Sequence, residues 1–143
     1  MIEFFKNNKI TYAIIIRNKY KADGIKFLTP DNYSQQLGYM NRPEGYKILP
    51  HLHNIISREV KLTNEVLFIK SGKVRIDFYN NSKEYLSSKI LFLGDTILLA
   101  EGGHGFEMLE ASEIIEVKQG PYIGDKDKVR FDPISADRIL IEN

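Results

Sequence analysis

The chain has 143 residues, 43% hydrophobic and 27% charged, which is the balance of an ordinary folded protein and argues against wholesale disorder. Its 20 basic and 19 acidic side chains leave a formal charge of +1, which argues against a nucleic-acid or membrane-surface protein held by bulk charge. Cysteine is absent, so disulfide scaffolds, zinc ribbons and thiol nucleophiles are excluded. We expect one domain over residues 1–143.

Short β-strands separated by turns dominate the pattern. The β-rich runs lie at 12–16, 25–28, 65–69, 73–78, 89–93 and 115–119. Asp23-Gly24 separates the first two runs and is a dipeptide typical of hairpin turns. Val74, Ile76 and Phe78 alternate with polar residues, as in a strand with one buried face. The chain is therefore predicted to be an all-β sandwich or barrel.

Helix signals are confined to the C-terminal part of the chain. Asp132 can cap a helix, and Pro133 suits its first position, so residues 132–140 are predicted to form a short helix or helical turn on the outside. Residues 120–128 are predicted to form a surface loop.

No targeting or membrane signal is visible. The N-terminal residues lack an apolar run followed by a small-residue cleavage site. The longest apolar runs, 12–16 and 97–100, fall far short of the roughly 20 residues that a membrane span needs. We therefore expect a cytoplasmic protein that binds neither nucleic acid nor membrane.

The histidines are the feature most informative about chemistry. His51 and His53 are two residues apart, and on an extended segment both side chains project from one face and can converge on a metal ion. Glu65 begins an apolar run, where a carboxylate needs a polar partner or a ligand role. His104, the third and last histidine, follows two glycines that allow a close backbone approach.

These residues resemble the first motif of the cupin superfamily. Its members are small jelly-roll β-barrels with a metal centre inside. That motif reads G-x5-H-x-H-x(3 to 4)-E-x6-G. Gly45 and the two histidines match its first half, and Glu65 and Gly72 match its second half. Eleven residues, 54–64, separate the halves, which predicts an enlarged loop at the barrel mouth. Glu59 also lies near His53, but only Glu65 keeps the six-residue spacing to glycine and begins a strand.

The second cupin motif, G-x5-P-x-G-x2-H-x3-N, is matched in part. Gly94, Gly102 and His104 correspond to its glycines and histidine. Ala100 replaces the proline, Met108 replaces the asparagine, and the loop from Gly102 to His104 is one residue short. The resemblance covers about residues 43–118 and accounts for all three histidines. It implies a single all-β cupin (jelly-roll) barrel with a short C-terminal helical segment. Because such barrels commonly pair edge strands, it also implies a homodimer.

The resemblance implies that His51, His53, Glu65 and His104 bind one divalent first-row transition metal. This donor set suits Fe, Mn, Ni, Co or Zn and leaves one or two positions open for water or substrate. The alternative for each histidine is an ordinary structural place in the fold. Some cupins have also lost the metal and use the pocket only for binding.

The function implied by the resemblance is a metal-dependent isomerase or epimerase. Its substrate would be a small carbohydrate-like molecule of bacterial surface-polysaccharide sugar metabolism. The metal would act as a Lewis acid and stabilise an enolate-like charge. An Fe(II)-dependent dioxygenase and a non-enzymatic small-molecule binding protein are the two alternatives. No general acid or base is identified, since every histidine is assigned to the metal.

Four side chains are candidates for contacts with substrate. Gln36 and Arg42 lie in an alternating segment that could lead into the barrel, or that could be a surface edge strand. Phe106 and Met108 follow His104 at a spacing of two, so they are predicted to share its inward face. There they would form an apolar wall of the pocket or plain barrel core.

Overall fold

The computed structural model describes residues 1–142 and shows ten β-strands, two short 3₁₀ turns and no α-helix in that range. The strands are β1 (Ile2–Asn7), β2 (Ile10–Ile16), β3 (Gly24–Phe27), β4 (Gly38–Asn41), β5 (Glu65–Ser71), β6 (Lys73–Tyr79), β7 (Tyr85–Phe92), β8 (Thr96–Leu99), β9 (Gly103–Met108) and β10 (Glu113–Lys118). The prediction of an all-β protein is therefore confirmed.

The strands form three antiparallel sheets. A five-stranded sheet has the order β1-β2-β8-β5-β10, and a three-stranded sheet has the order β7-β6-β9. Strands β3 and β4 pair only with each other. The described residues form no closed barrel, because β9 and β10 are each the last strand of their sheet.

The main core lies between the two larger sheets, where alternate residues of facing strands meet. Ile76 and Phe78 of β6 are 0% and 1% exposed. The ring of Phe5, from β1, stacks on Phe78 at a centroid distance of 4.2 Å. Leu67 and Ile69 of β5 belong to the same cluster, so β5 turns its odd-numbered residues inward.

One predicted pairing is wrong. The runs at 12–16 and 25–28 do not form a hairpin, because β2 pairs with β1 and β8 whereas β3 pairs with β4. The run of β2 is buried along most of its length, and a buried strand needs a partner on each side. The turn into β2 instead uses Asn8 and Lys9, which both have positive φ.

The C-terminal part of the chain packs on the three-stranded sheet. Of the predicted segment 132–140, only Ala136–Arg138 is helical, as a single 3₁₀ turn. The predicted start is wrong, because the turn follows Ser135 rather than Asp132 and has no side-chain cap. The Ser88 backbone N–H donates to the Leu140 carbonyl over 2.8 Å, which holds the tail against β7. The predicted surface loop at 120–128 contains the other 3₁₀ turn, Gly124–Asp127.

Residues 42–63, which we call the exposed segment, join β4 to β5 without a strand or helix. Every residue in this range is exposed, and Leu52 reaches 97%. The segment contains most of the predicted enlarged loop and also the His51–His53 pair. Nowhere in residues 1–142 is there a helix with the length and apolar character that crossing a bilayer requires.

Candidate functional site

A cavity of about 780 Å³ lies at the open edge of the three-stranded sheet. Its wall includes Glu65 of β5, His104 and Phe106 of β9, and Lys128 and Arg130 of the C-terminal part. The volume falls within the roughly 300–1,000 Å³ that is usual for small-molecule sites. The cavity is therefore large enough for a sugar-sized ligand.

Glu65 and His104 meet inside this cavity. His104 Nε2 lies 3.0 Å from Glu65 Oε2, and the two side chains are 25% and 11% exposed. Glu65 points inward because it continues the inward alternation of β5. His104 points inward because it lies opposite the buried Phe78 in the β6–β9 pairing, and cross-strand neighbours share a face.

The charge state of Glu65 follows from these neighbours. The hydrogen bond from His104 holds the pKa of the Glu65 carboxyl below its usual value, although burial acts in the opposite direction. The positive charges of Lys118 and Lys128 also lower this pKa. Glu65 is therefore ionised at neutral pH and able to bind a cation or accept a proton.

The other two predicted ligands lie elsewhere. His51 and His53 are on the exposed segment, with their ring centroids 5.2 Å apart, and neither lines the cavity. His51 Nδ1 lies 3.0 Å from the Leu49 carbonyl oxygen. Among residues 1–142, no group of three or more histidine, aspartate or glutamate side chains is placed to hold a metal ion. The chemistry of the four predicted donors suits a divalent metal, but their placement forms two separate pairs.

The predicted substrate contacts also divide into two groups. Phe106 lines the cavity with its ring centroid 5.3 Å from that of His104, whereas Met108 is exposed and lies outside the cavity wall. Gln36 lies outside it as well and stabilises a turn, since its amide donates to two backbone carbonyls. The guanidinium of Arg42 lies over the Tyr46 ring at 4.5 Å, also away from the cavity.

The cavity reaches both faces of β9. His104 and Phe106 line it from the inner face of the strand, and Glu107 lines it from the opposite face. Arg75 lies opposite Glu107 and forms an ion pair with it over 2.7 Å. The unpaired edge of β9 therefore borders the cavity.

Sequence reasoning missed Lys128 and Arg130, which belong to the wall although they follow the last strand. The available signal was weak, because cations at a spacing of two are common in solvated loops. Contacts distant in sequence bring these residues to the cavity.

Comparisons with protein-family models, with curated proteins and with solved structures found no match to this chain.

Proposed function

We propose that this chain is a metal-binding protein of the cupin type that isomerises or epimerises a small carbohydrate-like substrate. The observation that carries the proposal is the contact between Glu65 and His104 inside a cavity of sugar size. Two separate strands supply this pair, and each residue occupies a place that the cupin motifs assign to a metal ligand. The proposal includes a jelly-roll fold, in which the two larger sheets would form the two halves of the barrel.

The proposed ligand set is completed by His51 and His53. The exposed segment has chain length to spare, since the twelve residues from His53 to Glu65 can span up to roughly 40 Å when extended. The edge of β9 offers unpaired backbone groups beside the cavity, which is the feature that an added strand needs. No strand of the two larger sheets has to separate for the histidines to approach.

A bound divalent ion would supply a Lewis acid for the substrate's oxygen atoms. Glu65 contributes the negative charge of the site, and its hydrogen bond with His104 fixes the orientation of the imidazole. Phe106 places an apolar ring beside that imidazole, with the ring centroids 5.3 Å apart. The chain's own residues thus combine negative charge, a fixed imidazole orientation and an apolar neighbour around one point.

A second candidate function is non-enzymatic binding of a small molecule. The placement of His51 and His53 outside the cavity favours it, because the cavity wall then holds only two of the four predicted metal ligands, Glu65 and His104. This alternative needs no metal and predicts that changing His51 leaves ligand binding intact.

Cobalt(II) titration of protein purified without an affinity tag tests the proposal. We expect one ion per chain and at least about tenfold weaker binding after His104→Ala or after the double change His51→Ala and His53→Ala. Glu65→Gln should weaken binding in the same way. Glu59→Gln is the matched control, because Glu59 is a solvent-exposed carboxylate of the exposed segment. This change should leave the affinity for cobalt(II) unaltered.

Absence of metal binding in the wild-type protein would overturn the proposal and favour simple binding. Binding that survives His104→Ala undiminished would contradict the assigned ligand set. Oxygen uptake on addition of substrate to the iron-loaded protein would favour the dioxygenase over the isomerase.

A further inference from the structure

Gly105 stands in the interior of β9, where glycine is unfavourable and needs a reason. A glycine within a strand loses more conformational freedom on folding than other residues and packs no side chain. The backbone does not require it, because Gly105 is not among the residues with positive φ. Packing does not require it either, since a Cβ built there would meet only Tyr79 Cε2, at 4.0 Å. Gly105 therefore leaves a space in the cavity wall that the fold itself does not need.

Gly103, two residues earlier in the same strand, has a structural reason to be glycine. A Cβ there would lie 3.0 Å from Phe131 Cζ and 3.3 Å from Tyr79 Cβ, so this glycine makes room for the Phe131 ring. Both glycines lie on the face of β9 that points away from the core, because they alternate with the inward-facing His104. The chain itself fills the space at Gly103, whereas the space at Gly105 is open to the cavity.

An ion-paired cluster borders this open space, which we call the outer pocket and define by Arg75, Asp77, Tyr79, Gly105 and Glu107. Asp77 lies directly opposite Gly105 and is 4% exposed. The Arg75 guanidinium donates to both oxygens of Asp77, over 2.8 and 3.0 Å, and its Nη2 lies 2.7 Å from Glu107 Oε2. Within residues 1–142 these contacts use Nε and Nη2, which leaves Nη1 to donate to a ligand.

The remaining wall beside the outer pocket is apolar. The Tyr79 ring comes within contact distance of the position that a side chain of Gly105 would occupy. Ala136 and Ile139 of the C-terminal part also line the cavity. The chain is anchored just before them, since the Ile134 backbone N–H donates to the Tyr79 hydroxyl oxygen over 2.9 Å. The outer pocket thus has a polar side and an apolar side, both held by contacts within the fold.

We infer that the outer pocket binds a neutral sugar ring, apart from the Glu65–His104 pair. Asp77 and Glu107 already share Arg75 as their cation, so a charged ligand of either sign would have to displace one of these contacts. A hydroxyl group both donates and accepts hydrogen bonds, so neighbouring sugar hydroxyls can donate to the carboxylates while one accepts from the guanidinium. The C–H groups of the ring would pack on the apolar side. This site goes beyond the proposed function and needs no metal.

Titration of methyl hexosides into the ¹⁵N-labelled protein, followed by NMR, tests the inference. The probes are the methyl glycosides of glucose, galactose and mannose, and at least one should shift the amides of β9 saturably. Gly105→Val should bind that probe at least about tenfold more weakly, because the valine side chain fills the pocket. Gly105→Ala should show a smaller loss. The matched control, Gly120→Ala, adds the same methyl group outside the cavity wall and should bind like wild type.

Four outcomes of this titration would overturn the inference. The first is the absence of a saturable shift with every one of the three glycosides, and the second is equal binding by wild type and Gly105→Val. The third is binding that is lost in His104→Ala but kept in Gly105→Val, since the ring would then lie on the inner face of β9. The fourth is tighter binding of methyl glucuronide or of glucosamine, which would reject a neutral ligand.

The melting temperature separates a role in ligand binding from a role in the fold. Gly105→Val should melt at or above the wild-type temperature, because valine favours strands and its side chain enters open space. Gly103→Ala should melt lower, since its methyl group meets the Phe131 ring. A lower melting temperature for Gly105→Val would assign the glycine to the fold and contradict the inference. Cobalt(II) binding should be intact in Gly105→Val, so failure of this inference and failure of the metal proposal give different results.

Discussion

The two pairs of predicted metal ligands are held by very different surroundings. Glu65 stands on β5, whose next inward residues Leu67 and Ile69 belong to the core, and His104 lies opposite the buried Phe78 of β6. His51 and His53 lie on the exposed segment, where no residue is buried. A polar side chain is held in place where the residues beside or opposite it on the sheet are buried, and the chemistry of the side chain itself contributes less.

The largest expected effect is a difference in the free energy of unfolding between a substitution in the core and one in the exposed segment. Phe78→Ala should lower the free energy of unfolding by about 3–5 kcal/mol, because it removes a buried ring that packs on Phe5. Leu52→Ala should change it by less than about 0.5 kcal/mol, since that side chain is in solvent. Urea unfolding measures both. A loss above about 1.5 kcal/mol for Leu52→Ala would mean that the segment is packed.

A smaller effect is expected for an ion pair that supports the sheets. Asp95 is 3% exposed and accepts hydrogen bonds from Arg17 and from the backbone N–H groups of Asn18 and Phe92. Asp95→Ala should therefore lower the free energy of unfolding by about 3 kcal/mol, because it removes one of the carboxylates that balance the charge of the half-buried Arg17. The Glu59–Lys61 pair of the exposed segment spans 3.6 Å in solvent, so Glu59→Ala should leave the melting temperature unchanged.

Equal shifts in melting temperature for Asp95→Ala and Glu59→Ala would contradict the contrast between the two regions. Calorimetry of both variants under one buffer condition makes that comparison directly.

The difference between the two regions explains how much of the strand arrangement could be predicted from the sequence. Alternation found most strands of the two larger sheets, because burial of one face imposes a period of two. It missed β1 and β8. It also misplaced the partner of β3, because strand pairing is decided by contacts distant along the chain. Asp23-Gly24 is a dipeptide typical of hairpin turns, but here Gly24 begins β3 and pairs with Asn41, so the dipeptide does not join two paired strands.

The candidate site was predictable where it coincides with a strand. Glu65 and His104 were identified from their motifs, and the structure brings them together. Lys128 and Arg130 were missed because they reach the cavity through the Asp127–Lys118 and Phe131–Tyr79 contacts. Neither contact has a signature in the local sequence.

The smallest expected effect is a change in how steeply the free energy of unfolding falls at acid pH. The pKa of Glu65 is lowered in the folded protein, first by the hydrogen bond from His104, so its contribution is fully present above the unfolded value near 4.5. That contribution is lost as the pH falls through the lowered folded value. Glu65→Gln should therefore destabilise the protein at pH 7 and flatten the fall in stability below about pH 4.5.

Thermal unfolding between pH 3 and pH 7 measures this difference. Glu59→Gln should follow the wild-type curve throughout, because its carboxylate is exposed. Parallel acid limbs for Glu65→Gln and wild type would show that the contact with His104 contributes nothing to stability.

Amide hydrogen exchange of residues 42–63, with and without cobalt(II), tests the central claim most directly. The claim is that His51 and His53 join Glu65 and His104 around one ion. Without metal, these amides should exchange at the rates of an unprotected chain. With one ion bound per chain, exchange near the two histidines should slow by at least about tenfold in wild type but not in Glu65→Gln. Stoichiometric metal binding with unchanged exchange in the segment would contradict the account.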